Sequence, residues 1–153
     1  MTLEERIQRL EDIQAIERLT YDYAAYCDDN YNPDGIASLF TEDGSWIVDG
    51  EGGTNHGRAE IKAHFTELSK HISWAIHNVL NTRTDLSDDG KTATTYSYLL
   101  CLCTIGEDAV ILTLNYTNKF AKQADGSWLF TELSGSTHQV SNWDQGWVKQ
   151  QFR

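Results

Sequence analysis

The stretch ISWAIHNVLNTRTDLSDDGKTATTYSYLLCLCTIGEDAVILTLNYTNKFAKQADGSWLFTELSGSTHQ, residues 72–139, decides the fold. Its β-branched and aromatic runs are interrupted by turn chemistry at Ser87-Asp88-Asp89-Gly90, Gly106-Glu107-Asp108 and Asp125-Gly126. Strand-prone runs joined by short Gly- and Asp-bearing turns predict an antiparallel meander. The expected strands span 73–83, 91–104, 109–121 and 127–139.

Upstream the period changes from two to between three and four. Thr2 and Glu5 form a T-x-x-E capping box, and Leu3, Ile7, Leu10, Ile13, Ile16, Leu19 and Tyr23 follow at helical spacing. This predicts one long amphipathic helix that ends within 28–32, because the residue before Pro33 is biased away from helical backbone. Pro33 suits a first helical position, so a short second helix is expected there, with Ile36, Leu39 and Phe40 on its buried side. A short strand over 45–49, a Gly-rich turn over 49–53 and a third helix over 57–70 carrying Ile61, Phe65 and Leu68 complete the reading. Helices first and a long curled sheet afterwards predict an α+β fold: a cone-shaped α+β barrel with a strongly curved antiparallel or mixed sheet wrapped over the long helix and two shorter ones. The open end of such a cone is a natural apolar pocket.

The 153 residues suit a single domain over 1–153, with 140–153 as a tail that covers the pocket or a partner subunit. That tail holds Trp143, Trp147 and Phe152, rings that would form a sticky patch if left open to water. Twelve Lys and Arg against 23 Asp and Glu give a net charge of −11, which repels phosphate backbones and anionic lipid, so neither nucleic acid nor membrane is an expected partner. The apolar run over 96–105 is far shorter than the ~20 residues of a membrane helix. Residues 1–10 are too charged for a signal peptide, and a cytoplasmic protein is expected. Cys27, Cys101 and Cys103 include no C-x-x-C pair; Cys101 and Cys103 sit two apart in a strand, share a face and read as reduced core residues.

Several short motifs, in order, carry a resemblance. They are Tyr23-Ala24-Ala25-Tyr26-Cys27-Asp28, Leu39-Phe40-Thr41-Glu42-Asp43, His56-Gly57-Arg58-Ala59-Glu60-Ile61, Ile76-His77-Asn78, Thr92-Ala93-Thr94 and Asp125-Gly126-Ser127-Trp128. Over nearly its whole length the chain resembles the SnoaL-like branch of the nuclear transport factor 2-like superfamily. This scaffold hosts dehydratases, isomerases, cyclases and binding proteins, so the resemblance by itself implies a fold rather than a reaction.

Within the superfamily, Asp28 and His77 fall where scytalone dehydratase, hexachlorocyclohexane dehydrochlorinase and bile acid 7α-dehydratase have a catalytic Asp–His pair. The resemblance thus implies that His77 removes a proton, that Asp28 orients it, and that Tyr23 hydrogen-bonds a substrate oxygen gaining negative charge. The chemistry is sound: a neutral imidazole is a competent base near neutral pH, and a carboxylate on its other nitrogen fixes the tautomer and stabilises the imidazolium. Asp29 competes with Asp28 for that role, and only the Tyr-Ala spacing favours Asp28. Trp46, Cys101, Asn115, Tyr116 and His138 are expected on the substrate's side of the cavity. Strand alternation sets Ala75, His77 and Val79 on one face and Trp74, Ile76 and Asn78 on the other.

Cys101 or a neighbour stands where the bile acid enzyme has a carboxylate, and the second histidine of the scytalone enzyme has no counterpart, so their substrates do not transfer. No metal and no cofactor are expected, since His56, His64 and His71 lack the spacing of a ligand set and read as structural or exposed. Gly50, Gly52 and Gly53 read as a mobile hairpin at the pocket rim. The expected function is a cofactor-independent, dehydratase-like lyase or isomerase acting on a small apolar, cyclic or aromatic substrate. The rivals are a non-catalytic small-molecule-binding domain and a polyketide cyclase, the latter requiring Glu132 or Asp144 beside His77. The resemblance also implies a homodimer or higher homo-oligomer built on the outer face of the sheet.

Overall fold

The computed structural model describes residues 1–50 and 52–153; Glu51, in the expected Gly-rich turn, lies outside the described residues. The chain runs α1 (Leu3–Asp28), α2 (Pro33–Ser38), β1 (Phe40–Val48), β2 (Gly53–His56), α3 (Gly57–Leu68), β3 (Ile72–Leu86), β4 (Thr92–Ile105), β5 (Asp108–Lys122), β6 (Trp128–Asn142) and α4 (Gly146–Lys149). The six strands form one sheet in the order β2-β1-β6-β5-β4-β3. All neighbours are antiparallel except β1 and β6, which run parallel. This is the expected α+β fold with a mixed sheet.

α1 starts at the capping box: the Glu5 backbone N–H donates to Thr2 Oγ1, and the Thr2 N–H donates to Glu5 Oε2. Its buried stripe differs from the expected one. Asp12, Ile16, Thr20, Tyr23, Ala24 and Cys27 face the sheet, whereas Leu3, Ile7 and Leu10 are exposed. The burial of Asp12 works because Lys122 Nζ (2.8 Å) and Trp128 Nε1 (3.0 Å) donate to its carboxylate, so a charged position takes a core-facing place that hydropathy alone denies it.

The second helix is shorter than expected and the first strand longer. Phe40 belongs to β1, where it pairs with Phe130 of β6 and stacks on its ring at 5.1 Å. Phe120 packs on Phe130 at 4.5 Å, and these three fully buried rings close the narrow end of the cone. At the other end the sheet stays splayed. A bulge between Leu80 and Arg83 in β3, with Asn81 at φ 56°, bends that strand around α1. Tyr31 follows α1 in left-handed backbone (φ 50°), an uncommon conformation for a bulky residue; it turns the ring into the cone, 5.6 Å from the His77 ring and 5.9 Å from Phe65.

Candidate active site

His77 and Asp28 meet. β3 is an edge strand, paired among the described residues with β4 alone, and it packs against α1. Asp28, the last residue of α1, uses Oδ1 to accept both the His77 backbone N–H (2.8 Å) and His77 Nδ1–H (2.8 Å). A carboxylate at a helix C-terminus faces the negative end of the helix dipole, a cost of about 0.3–1 kcal/mol that these two hydrogen bonds offset. Asp29 is directed elsewhere and accepts from Asn32 Nδ2 at 3.0 Å, which resolves the two candidate aspartates in favour of Asp28.

The tautomer follows from the donors and acceptors. An ionised carboxylate only accepts, so Nδ1 carries the imidazole proton and Nε2 presents its lone pair. The imidazole is 7% exposed and Asp28 32% exposed, so the base is buried while its carboxylate retains contact with water. Opposite Nε2 stands the Cys101 thiol, with Sγ 3.8 Å away. Because the His77 N–H goes to Asp28, His77 and its β4 partner Cys101 face each other as a non-hydrogen-bonded pair, the kind in which cross-strand side chains approach most closely.

His77 borders a cavity of about 660 Å³ at the open end of the cone. That volume is within the range of small-molecule sites. Its wall is mainly apolar, with Leu99, Ile105, Leu112, Leu114 and Val140 from the sheet and Phe65 and Leu68 from α3. Tyr23, Trp46, Cys101 and Tyr116 line it. Trp46 Nε1 donates to the Tyr23 hydroxyl at 2.8 Å, which fixes both side chains. Burial pushes the Tyr23 phenol well above its ordinary value, so it stays protonated and keeps a hydrogen to donate.

Asn115 and His138 are not brought to the cavity. Asn115 lies between the inward Leu114 and Tyr116 and is exposed on the outer face of β5. His138 occupies a register shift in β6, where Thr113 pairs with Gln139 and Leu114 with Thr137; the displaced imidazole is exposed, 6.3 Å from the Tyr98 ring. In both cases a single step of strand parity separates the expected face from the observed one. Glu132 pairs with Lys119 at 3.0 Å and Asp144 is exposed in the turn after β6, so neither stands beside His77.

Two histidines read as structural or exposed do reach the cavity. His71 lines its rim, and His64 lies on the α3 wall, its ring 4.6 Å from that of Trp46. Burial lowers the His64 pKa, and its Nε2 has no hydrogen-bond partner among the described residues. The only signal that could have found it is the i, i+4 relation to the inward-facing Leu68, which puts both on one stripe of α3. The rim also includes Asp49, Gly50 and Gly52 from the β1–β2 turn and Phe152 and Arg153 from the tail. The tail is held there by a single parallel bridge between Phe152 and Val140: the Val140 N–H donates to the Gln151 carbonyl and the Arg153 N–H to the Val140 carbonyl, both at 2.9 Å. Trp143 and Trp147 remain exposed. Among the described residues, no group of three or more His, Cys, Asp or Glu side chains is placed to hold a metal ion.

The SnoaL-like domain profile matches residues 8–134. The chain belongs to the SnoaL-like domain family. Solved structures agree with this SnoaL-like fold. A protein from Novosphingobium aromaticivorans assigned as an aromatic ring hydroxylase is similar with 25% identity and a TM-score of 0.79, over 87% of this chain and 94% of that one. A protein from the same organism assigned as a scytalone dehydratase is 23% identical with a TM-score of 0.80, over 90% and 91%. Hexachlorocyclohexane dehydrochlorinase type 3 from Novosphingobium barchaimii is 23% identical with a TM-score of 0.80, over 90% and 93%. No curated protein matches. The last two likenesses concern the fold of this SnoaL-like domain. No helix among the described residues is long and apolar enough to cross a membrane.

Proposed function

We propose that this SnoaL-like domain is a cofactor-independent lyase or isomerase of the dehydratase type. Its substrate is a small, largely apolar cyclic or aromatic molecule with an acidic C–H beside a carbonyl. One observation carries the reading: a buried imidazole, backed by a carboxylate at 2.8 Å on Nδ1, lines an apolar cavity. In such a site His77 takes the proton, Asp28 stabilises the imidazolium that results, and the Tyr23 hydroxyl hydrogen-bonds the oxygen that becomes an enolate. Departure of a β-hydroxyl, which takes the proton back from the imidazolium and leaves as water, completes an elimination and restores the neutral base, and return of the proton to another carbon completes an isomerisation. A polyketide cyclase reading is weaker, because the acids it requires, Glu132 and Asp144, lie away from His77.

The reading is tested with 3-hydroxycyclohexanone and its benzo-fused homologues, by following enone or phenol absorbance and by NMR of α-C–H exchange in deuterated water. Conversion or exchange above the buffer rate is expected with at least one member. Ligands that raise the melting temperature but undergo neither process would instead identify a binding domain.

We also propose that a second copy covers the outer face of the sheet. Trp74, Ile76 and Leu80 of β3 and Tyr96 and Tyr98 of β4 are exposed side by side there, an apolar and aromatic patch of the kind that marks an interface. Light scattering is expected to give at least twice 17.4 kDa. Trp74→Glu should shift the protein toward monomer, and a wild type that is monomeric at all concentrations sinks the idea.

A further inference from the structure

We propose that Cys101 is a nucleophile, activated by His77 and Asp28, that adds reversibly to α,β-unsaturated ketones bound in the cavity. The inference uses the same base as the proposed function but does not require that elimination take place.

The geometry is that of a nucleophile, a base and an orienting carboxylate in series. Cys101 Sγ lies 3.8 Å from His77 Nε2, and His77 Nδ1 lies 2.8 Å from Asp28 Oδ1. Nε2 carries the lone pair, so where the two groups share a hydrogen bond the thiol is its donor. These three positions come from two strands and a helix end, and the thiol is buried in the wall of the cavity. Nucleophilic thiols in unrelated proteins are recognised by such roles rather than by fold.

The Cys103 thiol on the same face, together with burial, holds the Cys101 thiol far above its ordinary value, so at rest it is neutral. Attack therefore needs the base. As the bond from Sγ to the β-carbon of the enone forms, the S–H proton passes to Nε2, the carbon–carbon π bond breaks, and its electrons move to the carbonyl oxygen as an enolate. The imidazolium then returns the proton to the α-carbon. The net change is addition of S–H across a double bond, with no oxidant or other reagent consumed, and the reverse sequence releases the enone. Cys103 also lines the cavity, but it pairs across the strands with Ala75 rather than with a histidine; Cys27 is absent from the wall. The Cys103 thiol is held below its ordinary value by the hydrogen bond from Cys101 and by Arg153, so selectivity for Cys101 rests on its cross-strand histidine alone.

The probe is cyclohex-2-enone, which is small against the cavity. Intact-mass and peptide-mapping spectrometry of the folded protein should show one adduct, on Cys101, that is lost on dilution. Cys101→Ala should abolish it. His77→Gln and Asp28→Asn should both slow its formation, the former by about a hundredfold or more. Two variants are used so that loss of folding in one leaves the other, with circular dichroism confirming each. The proposal is overturned by no adduct on the folded wild type while the guanidinium-unfolded chain is alkylated, by adduct on Cys103 or Cys27 instead, or by equal rates in wild type and folded His77 and Asp28 variants. Failure of the elimination screen with adduct formation intact would remove the lyase reading and leave this one standing; the converse result would do the opposite.

Discussion

His77→Gln is expected to lower kcat/KM for the substrate found in the elimination screen by about a thousandfold, and Asp28→Asn by about ten- to a hundredfold. The difference has a physical source. Glutamine removes the base altogether. Asparagine in place of Asp28 retains an oxygen for the two hydrogens it accepts from His77, at 2.8 Å each, and so keeps the ring in place. What it loses is the charge assistance to the imidazolium, worth about 1.5–3 kcal/mol for a hydrogen bond to a charged group. Asp28→Ala is the less informative variant, because it also leaves the His77 backbone N–H on the edge strand without its partner. The measurement is initial rate under second-order conditions, with melting temperatures alongside. A purely structural pair would move melting temperature and activity together. If Asp28→Asn were as active as wild type, the carboxylate would be a strand anchor rather than part of a catalytic pair.

Asp12→Ala is expected to destabilise the fold by about 3 kcal/mol, the usual scale for breaking a buried ion pair, reduced somewhat because the Lys122 side chain retains contact with water. Asp12 accepts from Lys122, Trp128 and Gln8, and so ties the middle of α1 to the β5–β6 hairpin. Its loss leaves an ammonium and a buried indole N–H without acceptors. For a domain of this size the melting temperature should fall by roughly 6–12 °C. Burial alone would raise the Asp12 carboxyl, but the hydrogen bonds from Lys122 and Trp128 outweigh it and hold the group below its ordinary 3.8. A depressed folded pKa contributes stability that is fully present above the unfolded value and is lost as pH falls through the folded one. The gap between wild type and Asp12→Asn in urea titrations should therefore be widest above about pH 5 and narrow as pH falls below 4. A gap that stays constant or widens toward acid would place the effect in packing rather than in ionisation.

Much of the fold is written in local patterns. The capping box at Thr2 and Glu5, the Pro33 start, and the turns at Ser87–Gly90, Gly106 and Asp125-Gly126 are short-range chemistry, and each stands where the sequence puts it. Local patterns lose where a distant partner outweighs them. Phe40 suits the buried side of a helix by spacing, yet it is drawn into β1 by Phe130, ninety residues on. Leu3, Ile7 and Leu10 have the right period for a core stripe but lie exposed, while Asp12 is buried because Lys122 and Trp128 meet it. Asn115 and His138 were a single residue away from facing inward, and a strand reverses face at every step.

By itself, then, the sequence determined the order of helices and strands, the inward face of His77 on β3 and the acidic surface, because these depend on composition and on spacings of a few residues. The assembled fold is what sets Asp28 rather than Asp29 against the imidazole, brings Cys101 opposite Nε2 and adds His64 to the cavity wall. Those are meetings between groups far apart along the chain. Their distances are set by how the bent sheet closes over α1, a cooperative outcome of packing that no local period encodes.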